Sequence, residues 1–151
     1  MEERARWARR LATWFGCGSA PVAPGTVGSL GAIPLHLALT ALGPGARLAA
    51  IAGLTALGTW SANRVANELN EEDPQSIVID EVVGTLIALN FARRRGLAGH
   101  VVAFAAFRAF DVIKPGLIDH AQRLKPKGVG IMADDVLAGF AAGLLARFLK
   151  K

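Results

Sequence analysis

Residues 77–84 read IVIDEVVG, with Asp80 and Glu81 side by side in an otherwise apolar run. An ionised carboxylate taken out of water is costly unless it is paired, protonated or bound to a metal. Any fold this chain adopts must therefore supply a partner here. The run has strand-like composition, but apolar and polar residues do not alternate, and no other segment offers a convincing partner strand. Acidic residues suit a helix's first turn, so the stretch reads as a helix over Ile79–Phe91.

The rest of the chain reads as helices joined by Gly/Pro-marked turns: Arg4–Phe15, Ser29–Leu42, Ala46–Glu68, Ala98–Lys114 and Ala133–Leu149. The expectation is an all-α, single-domain bundle of about six helices across the 151 residues. In the last helix, Ala138, Gly139, Ala142 and Gly143 would allow close helix contact. Hydrophobic residues make up 52% of the chain and charged ones only 19%, which raises a membrane relationship. The mean hydropathy of +0.37 agrees. No uninterrupted apolar span of about 18 to 20 residues stands out. The charge-free stretch Leu11–Ala46 contains Pro21, Pro24, Pro34 and Pro44, while Leu48–Asn63 and Val136–Ala146 are short. A compact helical domain on or partly in a membrane is the resulting expectation.

The net charge is +5, concentrated at Arg4, Arg6, Arg9 and Arg10, at Arg93–Arg95, and at Arg147, Lys150 and Lys151. Such clusters favour anionic surfaces. No nucleic-acid-binding signature accompanies them, so the partner expected is an anionic membrane surface and not nucleic acid. The first helix places Trp7, Leu11, Trp14 and Phe15 on one stripe among the arginines. It reads equally as an interfacial helix or as a surface helix packed on the core. Cys17 is the single cysteine, which excludes an intramolecular disulfide and points to a reducing compartment. The charged Met1–Arg10 segment does not lead into an apolar secretory core. No pattern argues for or against an oligomer.

Five acids stand in apolar or motif-like surroundings: Asp80, Glu81, Asp111, Asp134 and Asp135. Any one could be paired structurally with Arg or Lys. A shared magnesium site accounts for all five together, because hard divalent cations prefer carboxylate oxygen. The remaining acids, including Glu71, Glu72 and Asp73 before Pro74, read as solvated. Asp80 and Asp135 each precede a glycine by four positions, leaving a side-chain-free space one helical turn away. A neighbouring helix, a metal or a phosphate could enter that space.

In FRAFDVIKPG, Arg108, Asp111 and Lys114 are spaced by three and share a helix face before Pro115. They could hold a metal and a phosphoryl group side by side, or form a salt-bridge ladder. PGTVGS (24–29) could present backbone amides from Gly25 to phosphate, with Thr26 or Ser29 capping the next helix, or could be a structural turn. KGVGIMADD (127–135) places glycines ahead of Asp134 and Asp135, where a loop could close over a ligand. The position six after Cys17 is Ala23, so the Cys-x5-Arg phosphatase arrangement is missing, and no Asp-x-Asp pair occurs. His36, His100 and His120 are isolated in sequence and read as structural or solvent-facing, so zinc is not expected.

Four blocks, GCGSAPVAPGTVGSLGAIPL, IVIDEVVGTLIAL, FRAFDVIKPGLI and GVGIMADDVLAG, resemble the phosphatidylglycerophosphatase A family in order and similar spacing. The chain departs from the family pattern at Leu117, where a second proline is usual, and at Lys127-Gly128, where two glycines are common. The resemblance implies an all-α bundle around a central helix. It also implies magnesium-dependent removal of the terminal phosphate of phosphatidylglycerophosphate, a phospholipid substrate. It puts the functional positions on Asp80, Glu81, Asp111, Asp134 and Asp135. On this reading the acids hold one or two Mg²⁺, which activate a water toward phosphorus, and Asp111 or Glu81 accepts its proton. Arg108 and Lys114 would steady the phosphoryl oxygens. The expected location is the cytoplasmic side of the cell (inner) membrane, peripheral or partly embedded. Two alternatives stay open: a magnesium-dependent phosphatase of soluble phosphate esters or nucleotides, and a non-enzymatic membrane-associated helical protein.

Overall fold

The IVIDEVVG run does lead into a helix. In the computed structural model, which describes residues 2–93 and 96–148, α4 (Ile79–Ala92) carries Asp80 and Glu81 in its first turn. Around it lie α1 (Glu2–Ala12), α2 (Pro24–Thr40), α3 (Pro44–Leu69), α5 (Gly96–Ile113), the short α6 (Leu117–Ala121) and α7 (Lys127–Phe148). A single 3₁₀ turn, Cys17–Ser19, precedes α2. Among the described residues there are seven α-helices and no strand, so the fold is all-α, with one short helix more than the sequence suggested. Arg94, Arg95, Lys150 and Lys151, from two of the basic clusters, and Leu149, the expected end of the last helix, lie outside the described residues.

A helix that is apolar on every side belongs in the centre. In α4 only Glu81, Asn90 and Phe91 escape full burial, and α7 forms its most extensive contact. The two glycines expected to leave room beside the acids meet each other. A Cβ on Gly139 would sit 2.4 Å from the Gly84 carbonyl oxygen, and one on Gly84 would sit 2.8 Å from the Asp135 carbonyl oxygen. The spaces therefore admit a neighbouring helix, and α4 crosses α7 backbone to backbone. Farther along, Gly143 lies against Ala88 in the same way, as the small-residue stripe implied. Arg47, 2% exposed, donates to the carbonyls of Leu39, Thr40 and Leu42, placing a cation at the negative C-terminal end of α2.

Several expected boundaries move. α1 stops at Ala12, because Trp14, Phe15 and Gly16 turn through left-handed backbone with φ of 44°, 54° and 104°. It buries Ala8 and Ala12, while Trp7 and Phe15 stay exposed. α2 starts at Pro24 and not Ser29, because proline fits a helix's first position, where its missing N–H is not needed. α7 starts at Lys127 and not Ala133. A Cβ on Gly128 would meet the Thr59 carbonyl oxygen at 2.3 Å, and one on Gly130 the Gln122 carbonyl oxygen at 2.3 Å. Those glycines are close-packed helical residues, so no closing loop precedes the Asp134–Asp135 pair. Among the described residues two helices, α5 and α7, are long and apolar enough to cross a membrane, which corrects the reading that no span qualifies. About half of α7 is buried in the bundle, whereas few residues of α5 are.

Candidate active site

The first turns of α2 and α4, the last turn of α5 and the Asp134–Asp135 stretch of α7 converge at one end of the bundle. The α4–α7 crossing is the cause. With Gly84 against Gly139, the aspartates one turn earlier on each helix face one another. Asp80, Glu81 and Asp135 each offer a carboxylate oxygen lying within 4.8 Å of the other two. Within this trio, Asp80 Oδ1, Glu81 Oε2 and Asp135 Oδ2 are buried without a hydrogen-bond partner. Unpaired buried carboxylate oxygens repel one another, and such groups require a proton or a cation.

The electrostatics agree. Burial raises Asp80 well above the usual aspartate range, and the charges of Glu81 and Asp135 push it further. Burial also raises Asp135 strongly, aided by the charges of Asp111 and Glu81. Glu81 is raised by burial, against an opposing hydrogen bond from Asp80 and the nearby Arg108 charge.

The other two expected acids have their own cations. Arg108 Nη1 donates to Asp111 Oδ2 at 2.5 Å and lies 3.5 Å from the Ser29 hydroxyl. Lys114 Nζ donates to Asp134 Oδ2 at 2.5 Å, while Asp134 Oδ1 accepts the Asp135 backbone N–H at 3.0 Å. Burial alone would lower Lys114, but the hydrogen bond and charge of Asp134 more than offset it, so the amine stays raised and charged. Asp134 therefore does not join the trio. Asp111 remains close enough to influence both Glu81 and Asp135.

The expected shared face of Arg108, Asp111 and Lys114 also divides. α5 ends at Ile113, and Lys114 adopts a left-handed φ of 48° before Pro115, turning its amine toward α7. Gly25 lies against the site: a Cβ there would be 2.1 Å from Glu81 Oε1 and 3.3 Å from Arg108 Nη2. Its lack of a side chain makes room for that carboxylate and guanidinium. Thr26 and Ser29 do not cap α2, whose N-terminal residue Ala23 has no side-chain cap. Ser29 lies inside the helix, donating to the Gly25 carbonyl at 2.9 Å, and the Thr26 N–H bonds the Ala23 carbonyl.

Two contributors escape a sequence reading. Asp73, exposed as expected, adds its charge to Asp80, Lys114 and Asp134, because the fully buried Pro74 fixes its turn at the site's edge. Gln122 accepts from Lys114 at 3.0 Å and donates to Asp119 at 2.7 Å, holding the lysine from α6's end. Pro74 is a faint signal for the first; nothing in sequence marks the second. His36 and His100, isolated in sequence, meet edge to face with centroids 5.3 Å apart, away from the acids.

Residues 10–150 match the profile of the family described as phosphatidylglycerophosphatase A. A Bacteroides thetaiotaomicron protein, named provisionally as a phosphatidylinositol-3-phosphatase, is 39% identical over 142 residues, covering 89% of this chain and 88% of its own. Phosphatidylglycerophosphatase A of Escherichia coli is 36% identical, covering 89% of this chain and 79% of its own. That of Haemophilus influenzae is 38% identical, with coverages of 87% and 82%. No solved structure matches the chain.

Proposed function

The chain belongs to the phosphatidylglycerophosphatase A family, and from that premise we propose that it hydrolyses the terminal phosphomonoester of phosphatidylglycerophosphate with the help of Mg²⁺. Family membership makes it a phosphoric monoester hydrolase. The observation that carries the metal part is the trio of unpartnered buried carboxylate oxygens within 4.8 Å of one another. An all-oxygen anionic donor set suits a hard divalent cation, and Asp80, Glu81 and Asp135 would hold it. When bound, Mg²⁺ supplies charge neutralisation and Lewis-acid polarisation at the phosphoryl group.

The chain's own residues do the rest. Arg108, held by Asp111 and facing the same Gly25 gap as Glu81, is placed to bind phosphoryl oxygens and to oppose the charge that builds on them. Lys114, fixed by Asp134 and Gln122, adds a second cation at the rim. Asp111, close to the trio but outside it, is the acid best placed to accept a proton from the attacking water. Asp134 is a positioning residue through Lys114. Gly25 and Ser29 shape the cradle and Thr26 lies beside them on α2's first turn.

A phospholipid substrate accords with the exposed apolar surface of α5, and the proposed location is the cytoplasmic face of the inner membrane, peripheral or partly embedded. The deciding experiment measures phosphate release from phosphatidylglycerophosphate with Mg²⁺ and then with EDTA, for wild type, Asp80→Asn, Asp111→Asn and Asp135→Asn. Turnover is expected only for wild type with Mg²⁺; full activity in all three variants or in EDTA would remove the proposed site. The Bacteroides relative makes phosphatidylinositol 3-phosphate the informative competing lipid, and glycerol phosphate the soluble control. Faster turnover of the soluble ester would overturn the lipid assignment.

A further inference from the structure

α2 and α5 run in opposite directions and do not close against each other, leaving a groove of about 610 Å³ with the buried Leu89 of α4 in its lining. The groove begins where the phosphate cradle ends. Ser29 and Arg108 lie 3.5 Å apart across the two helices. One turn along α2 from Ser29 is Ile33, and a further turn brings Leu37; one turn back along α5 from Arg108 is Phe104, followed by Val101. All four line the groove.

Leu37 and Val101 are 63% and 59% exposed, a large apolar outlay for residues facing water. Arg93 also lines the groove, and of its two imidazoles His36 adds no charge at pH 7. His100 Nδ1 donates to the Gly96 carbonyl at 2.7 Å, and burial with the neighbouring His100 and Arg47 charges lowers His36 to about 4, so it is neutral at pH 7. The twelve-residue run from Arg108 back to Leu97 spans about 17 Å of helix, a length suited to an extended lipid chain. A polar, cationic head site opening directly into an apolar channel is the shape of a site for one amphipathic molecule.

We propose that the α2–α5 groove holds an acyl chain of the phospholipid whose phosphate occupies the acid–arginine site, so that Leu37 and Val101 set the enzyme's preference for long-chain substrates. This rests on the phosphatase reading above and extends it to substrate selection.

The test compares kcat/KM for dioleoyl and dihexanoyl phosphatidylglycerophosphate, both dispersed in excess non-ionic detergent, for wild type, Leu37→Trp and Val101→Trp. Leu57→Trp on the exposed face of α3, outside the groove, is the control. The long-to-short ratio is expected to fall by about tenfold or more in the groove variants, the scale of a few lost methylene contacts, and to hold in the control. An unchanged ratio in both groove variants, or an equal fall in the control, overturns the groove assignment alone. A wild type that turns over neither lipid overturns the phosphatase reading and the assignment with it.

A second measurement does not depend on the variants folding. A phosphatidylglycerophosphate carrying a terminal acyl diazirine is photolysed with the wild-type protein in EDTA. Label recovered on peptides of α2 and α5 around Leu37 and Val101 supports the assignment, and label confined to α1 or α3 overturns it.

Discussion

Two kinds of buried acid stand within one site. Asp111 and Asp134 each lie against a cation at 2.5 Å. Asp80, Glu81 and Asp135 face one another and have buried oxygens with no partner. A protein assembling acids only for structure would pair all of them, since an uncompensated carboxylate opposes folding. The paired acids hold Arg108 and Lys114 in place, and the Lys114 charge offsets part of the burial that raises Asp134. The unpaired ones oppose folding, and their proximity makes sense through a cation they share.

Neutralising each kind should therefore have opposite consequences for stability. Asp80→Asn and Asp135→Asn are expected to lower phosphate release by at least about 100-fold, more than the loss of an outer-shell partner of a metal site. In EDTA the same variants should melt at or above the wild-type temperature, because a buried repulsion has been removed. Asp134→Asn leaves the Lys114 ammonium without its partner and should cost about 1–3 kcal/mol in urea unfolding. Equal destabilisation by all three variants would erase the distinction between the two kinds of acid.

Magnesium should act on the trio alone. At about 100 times its dissociation constant it is expected to stabilise wild type by about 2.7 kcal/mol and Asp134→Asn comparably, with no shift for Asp80→Asn. Differential scanning fluorimetry over a Mg²⁺ titration reads this directly, and a shift retained in Asp80→Asn would place the cation elsewhere.

The pH dependence sharpens the same contrast. Asp80 has a folded pKa raised above its unfolded value of 3.8, so between the two the folded state binds more protons and stability falls as pH rises. The melting advantage of Asp80→Asn over wild type, both in EDTA, should thus grow as pH rises past 3.8 and level off once Asp80 has ionised in the folded state. His36 shifts the opposite way, but it is common to both proteins and cancels in the difference. A constant difference across pH would contradict the buried repulsion. The smallest effect expected is that of Gly25→Ala. Its methyl group would displace the flexible end of Glu81, lowering kcat/KM by about tenfold with little change in melting temperature.

Much of the architecture was legible in the residues. The acidic first turn marked Ile79–Phe91 as a helix, the family resemblance implied a central one, and the Asp-to-glycine spacing at Asp80 and Asp135 pointed to spaces open to a helix, a metal or a phosphate, which a neighbouring helix fills. Helix starts were less legible, because Pro24 and the glycines of 128–130 resemble loop punctuation until packing shows that they fit helical positions. His36 and His100 looked isolated, since nothing local indicates that α2 and α5 bring them together.

Local chemistry by itself determined that acids would sit among apolar residues and that each needed compensation. Which acid received which partner was a tertiary decision. Asp134 and Asp135 are neighbours in sequence, but successive side chains on a helix point about 100° apart, so one faces Lys114 and the other the acids of α4. That rotation is set by the glycine crossing of α4 on α7, and Lys114 reaches its aspartate through a left-handed turn that no spacing rule anticipates.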